Sequence, residues 1–230
     1  MKKAWRIFKK IIIWAVILQF FYIIICRWVN PPVTLTQLAN FVSGNGLKRD
    51  YISYDEMGPN IKLAVIAAED QLFPGHDGFD VKAIKKAMKY NEKHPNKTRG
   101  ASTISQQTAK NVFLWQHGGW FRKGLEVYFT FMIETLWSKE RILENYLNVA
   151  EMGKGIFGVQ AAAKSYFNKD ARDLTRPEAA MIAACLPNPK AYTVKPMSRY
   201  VAGRYGRILQ QMNNLDGDPD IEAIIMAPKK

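Results

Sequence analysis

Residues 11–26 form an apolar run interrupted only by Gln19, and such a run must be buried in protein or in lipid. Trp28 and Val29 extend it towards the roughly 20 residues that span a bilayer as a helix. Lys2, Lys3, Arg6, Lys9 and Lys10 precede it. A cleaved signal peptide would have an apolar stretch of about 7–15 residues ending at a small-residue site. Here the run ends in Cys26-Arg27-Trp28, so the sequence predicts a retained anchor. The basic flank holds its own end in the cytoplasm and places everything from residue 31 onward outside.

The rest must fold as one globular unit. Hydrophobic residues make up 48% of the 230, enough for a core and incompatible with disorder. Cys26 and Cys185 are far apart in apolar surroundings, and His76, His94 and His117 lack metal-ligand spacing. Neither a disulfide framework nor a zinc site follows. The net charge is +13; without the six Lys and Arg of residues 1–30, 27 basic residues face 20 acidic ones. A basic surplus favours anionic partners. Outside the cytoplasm nucleic acid is excluded, which leaves the membrane surface and membrane-borne phosphates.

The chain divides into a basic cytoplasmic segment (1–10), a transmembrane helix (11–29), a juxtamembrane connector (30–50), a catalytic domain (51–212) and a polar tail (213–230). Within the connector, residues 34–41 suggest a short helix. In the domain, helical periodicity recurs at residues 61–70, where Leu63, Ile66 and Ala67 share a face, and at 81–90 and 159–167. The proline-free stretch 122–148 exceeds an ordinary helix, so a break is expected near Trp137 with Ser138 as N-cap. Thr175-Arg-Pro-Glu opens another helix with proline in its first turn. Alternation of period two is scarce. The expected fold is all-α.

Two stretches carry chemistry. EDQLFPGHDGFD (69–80) sets Glu69 and Asp70 where an apolar helix meets a glycine-rich turn, and a carboxylate against apolar walls can exchange a proton near neutral pH. RGASTISQQTAKN (99–111) gathers hydroxyls on Ser102, Thr103 and Ser105, amides on Gln106 and Gln107, and cations on Arg99 and Lys110. Neutral donors suit sugars and charged donors suit phosphates. On residue type alone, a solvated helix end is the simpler account of the first stretch; the alternative for the second is an N-capped polar helix, which must face solvent or a ligand.

Taken with RKGLE (122–126), KERILENYLN (139–148) and PEAAMIAACLPNP (177–189), the ordered set resembles the five motifs of the peptidoglycan glycosyltransferases, glycosyltransferase family 51. The resemblance covers about residues 60–195. It implies a lysozyme-like fold with a membrane-apposed lobe, and an inverting transfer that polymerises lipid II into β-1,4-linked glycan with release of polyprenyl pyrophosphate. By resemblance Glu69 is the base that deprotonates the acceptor 4-hydroxyl. Glu126 is the second catalytic carboxylate and the candidate ligand of a divalent cation, Mg2+ or Mn2+. Lys110 contacts the pyrophosphate, and Arg99, Ser102, Thr103, Gln106, Arg122 and Lys123 line the substrate cleft. The implied partners are lipid II, the growing strand, the membrane and other wall-synthesis proteins, with the catalytic domain on the periplasmic side of the bacterial inner membrane. Two departures stand out: Gly118 occupies a position where many members carry arginine, and Ser105 replaces a threonine. The alternatives are glycan cleavage by a lytic transglycosylase or lysozyme, and a non-enzymatic wall-binding scaffold.

Overall fold

The computed structural model describes residues 2–95 and 99–227. Helix α1 (Lys2–Ile25) is apolar, long enough to cross a membrane and almost wholly exposed. Its C-terminal part touches the domain, beginning with Gln19 Nε2, which donates to Tyr128 Oη at 3.3 Å. Trp137 Nε1 donates to the Ile23 carbonyl at 2.9 Å, and the Arg141 guanidinium donates to the Cys26 carbonyl at 2.9–3.0 Å. The anchor is therefore clamped where the domain begins.

Helix α3 (Pro59–Glu69) is the axis of the domain. Residues 61–67 are buried all round and not along the single face expected from the sequence. Around it pack α9 (Arg176–Cys185), α10 (Arg199–Leu215) and α11 (Pro219–Ile225). A second group joins α5 (Ile104–Phe113), α6 (Trp120–Leu136) and α7 (Lys139–Val149). Helices α4 (Val81–Lys93) and α8 (Val159–Phe167) complete the shell. The expected break lies where the sequence puts it: α6 ends at Leu136, and the Ser138 hydroxyl caps α7 through the Arg141 amide. Thr175 caps α9 in the same way, with Glu178 closing a capping box.

Three features differ from expectation. Strands β1 (Lys48–Arg49), β2 (Glu151–Gly153) and β3 (Ile156–Phe157) form a small sheet in the order β1-β3-β2, β1 parallel and β2 antiparallel to β3. Strands of two or three residues are too short to show alternation. The expected polar tail is a packed helix as far as it is described: Asp218 caps α11, and Ile221, Ile224 and Ile225 are buried. The connector also joins the domain through α2 (Leu35–Val42), which Thr34 and Gln37 open with a capping box. This helix is inside out. It buries Thr36, Gln37 and Asn40 against the domain and exposes Leu35, Leu38, Phe41 and Val42.

Candidate active site

Glu69 is the last residue of α3, where the buried axis emerges. Its side chain keeps 13% exposure. Gln107 Nε2 donates to Oε2 at 2.9 Å, and Arg204 Nη2 approaches Oε1 at 3.4 Å. Tyr146 Oη, buried in the core, donates to Gln107 Oε1 at 3.3 Å and so orients the amide with its NH2 towards the carboxylate. Burial raises the Glu69 pKa; the Gln107 hydrogen bond and the positive Arg204 and Lys110 oppose that shift, while Asp70 adds to it. A raised carboxylate with a fixed orientation has the properties of a general base.

Asp70 has the opposite task. It is buried, accepts from the Ile104 amide at 3.0 Å and meets His76 Nε2 at 3.0–3.1 Å. A carboxylate at the first amides of α5 favours that helix terminus and fixes α5 against α3. Asp70 is thus committed to the scaffold.

Glu126 is buried in α6 at 3% exposure. Arg122 Nη1 donates to Oε2 at 2.6 Å, and Lys123 Nζ donates to Oε1. Lys110, one turn after Gln107 on α5, feels both Glu126 and Glu69; burial lowers its pKa, and the two carboxylates oppose that shift. Gln107, Lys110 and Tyr146 line a cleft of about 370 Å³ that extends to Pro187 and Lys190 after α9. The Nε of Arg122 is buried without a hydrogen-bond partner among the described residues.

The structure brings together Glu69, Glu126, Lys110, Arg122 and Lys123, and it places the other expected residues differently. Thr103 and Gln106 are buried and do not line the cleft. They form the capping box of α5, and Thr103 Oγ1 also donates to the Gly78 carbonyl at 2.7 Å. Their side-chain oxygens are taken up by the fold because a buried helix start must satisfy its own amides. Ser102 is exposed at the rim, where its carbonyl lies 3.5 Å from Gln107 Nε2. Arg99 stands apart at the end of α4, exposed, its amide donating to Asn91 and its guanidinium over Tyr90. Glu126 does not suit a divalent cation, since each of its oxygens already holds a cationic side chain. Among the described residues no three His, Cys, Asp or Glu side chains converge as a metal site.

At Gly118 the backbone does not have positive φ. A Cβ there would stand 2.8 Å from Arg122 Cβ and 3.0 Å from Arg122 Cδ. Arg122 fills the space beside that position. Gln107, Tyr146 and Arg204 were not assigned to the site from sequence. The first shares a helix face with Lys110, which was a usable signal; Arg204 comes from α10, 135 residues from Glu69, and had none.

Helices wrapped around one desolvated carboxylate are the arrangement of a lysozyme-like domain. The cations next to it suit an anionic leaving group, which a hydrolase would not need, so the class is a lysozyme-like glycosyltransferase. The chain belongs to the transglycosylase family, whose model matches residues 35–213. Its relatives include the biosynthetic peptidoglycan transglycosylases of Escherichia coli (strain ATCC 8739) and Shigella boydii serotype 4 (strain Sb227). Each is 58% identical over 170 residues, 74% of this chain and 70% of the relative.

Proposed function

We infer that this peptidoglycan glycosyltransferase polymerises lipid II at the surface of the bacterial inner membrane, with its cleft on the periplasmic side. The observation that carries the reading is the proximity of Lys110 to two carboxylates of unlike surroundings, Glu69 with one amide donor and Glu126 held by two cationic side chains. Glu69, desolvated and oriented by Gln107, takes the proton from the acceptor 4-hydroxyl as that oxygen attacks the donor sugar. The bond from sugar to pyrophosphate breaks, and negative charge grows on the leaving oxygens. Lys110, Arg122 and Lys123 stabilise that charge, with Glu126 holding Arg122 and Lys123 in place. The lipid substrate reaches the cleft from the bilayer beside α1. The exposed apolar side chains of α2, with Trp120, Phe121 and Phe131 on α6, supply the membrane-apposed surface.

The test uses purified full-length protein and labelled lipid II. Glu69→Gln should lower polymerisation by roughly 10²–10⁴ while lipid II still binds. The wild-type rate should also fall with acid at a pH above the ordinary carboxylate value of about 4.3, because the base must be ionised. Release of fragments from preformed wall, with no polymer from lipid II, would establish cleavage in place of synthesis.

A further inference from the structure

The Glu69 carboxylate has a partner on each of two sides. Oε2 faces α5 and the cation cluster, whereas Oε1 faces Arg204 on α10. The α10 side opens into a groove of about 630 Å³ between the end of α3 and α10, with Ala68 on one wall and Arg199, Arg204 and Arg207 on the other. No acidic side chain lines it. Arg204 is already engaged by Glu69, the Ala68 carbonyl and Tyr200 Oη. Arg199 and Arg207 are exposed and have no ion-pair partner among the described residues. Arg199 occupies the first position of α10, where the helix dipole disfavours a cation, so local helix stability does not explain it.

We propose that this groove holds the peptide stem of the glycan substrate, with Arg199 and Arg207 pairing with its carboxylates. The proposal rests on the lipid II reading above and extends it to a part of the substrate that the cation cluster leaves unassigned. Position separates the candidate anions. The anchor packs on α6, and the outward apolar surfaces belong to α2 and α6, so that side carries the lipid and its pyrophosphate. Helix α10 packs on α9 and α3, across Glu69 from that lobe. The peptide is joined to the sugar next to the one whose hydroxyl meets Glu69; the lipid holds the pyrophosphate at the apolar lobe, while the peptide is free to extend along α10, and its anionic groups are carboxylates.

The experiment compares wild-type protein with an Arg199→Gln/Arg207→Gln double variant on lipid II whose stem carboxylates are either free or amidated. On the free-acid substrate the variant should show KM raised roughly three- to tenfold, with kcat preserved, the scale expected of two partly exposed charge pairs. On amidated substrate the two proteins should share one raised KM. Arg199→Lys/Arg207→Lys should recover part of the loss. An equal KM for variant and wild type on free acid, or an equal rise with both substrates, overturns the proposal. A parallel titration with the soluble muropeptide, which lacks lipid and pyrophosphate, should show the same weakening in the variant. Inorganic phosphate competing as well as the muropeptide would also overturn it. If wild-type protein does not polymerise lipid II, the reading above fails, and the muropeptide titration still decides the groove.

Discussion

The side chains of Glu69 and Asp70 leave the same turn and meet opposite environments. Asp70 is spent on the α5 amide and His76, while Glu69 is left with one amide donor and one distant guanidinium. That difference commits Asp70 to the scaffold and leaves Glu69 available for the proposed role of base. Gly118 shows how the same scale limits substitution. From sequence, arginine at 118 promises an added phosphate contact. In the structure its Cβ would press on the Arg122 stem, which carries the guanidinium bound to Glu126. Gly118→Arg should therefore displace an existing cation and lower lipid II affinity by about tenfold or more, the scale of one lost charge-assisted contact. Binding and melting temperature measured together check this; tighter binding with an unchanged melting temperature would sink it. The motif resemblance singled out Glu69, Lys110 and Glu126, which the structure brings together. It misplaced Thr103 and Gln106 because a capping box and a sugar site call for the same residue types. Gln107, one position further on, is turned about 100° around the helix and meets the carboxylate.

Among the elements, capped helices were readable and packing was not. Ser138, Thr175 and the proline of α9 announce their helices in the chain, whereas nothing local reveals that α3 is enclosed on every side or that residues 219–225 return to it. That return uses polar groups. Tyr54 Oη donates to the Ile224 carbonyl at 2.7 Å, and Lys62 Nζ donates to the Ile225 carbonyl at 3.2 Å while lying 3.5 Å from the Tyr54 ring centroid. Burial lowers the Lys62 pKa from 10.5 to about 8, against the attraction of Asp55 and Glu144. Between those two values the unfolded chain binds more protons than the folded one, so stability contributed by this residue rises with pH. Below about pH 8 the folded domain bears the full cost of a buried ammonium. Comparing wild type with Lys62→Met cancels the other titrating groups. The stability of wild type relative to the variant should increase between pH 8 and 10.5, by at most about 3 kcal/mol. Denaturant unfolding at several pH values measures this, and a flat difference would show that the ammonium is not desolvated.

For the whole molecule, the question is how a basic domain is held over a lipid-borne substrate. The chain answers with a clamp in place of a loose tether. Trp137 and Arg141 bond the last turn of α1 directly, and Tyr22 packs edge-on against Phe113 of α5. The outward residues of α2 continue the apolar surface away from that junction. An inside-out helix next to an exposed apolar helix suits a lipid covering of both, and under the proposed function packing then sets the orientation of the cleft relative to the bilayer. Which side of the bilayer the cleft occupies is a separate matter, decided by charge. Five basic residues precede the apolar run, and Arg27 alone follows it closely. Positive residues resist translocation, so the N-terminus should remain cytoplasmic and the domain should be exported. Alkaline phosphatase fused to the C-terminus, which is active only after export, should therefore be active. Neutralising Lys2, Lys3, Arg6, Lys9 and Lys10 together should reduce that activity by removing the charge difference across the anchor. A stable wild-type fusion without phosphatase activity would reverse the topology and put the cleft on the wrong side of the membrane for wall synthesis.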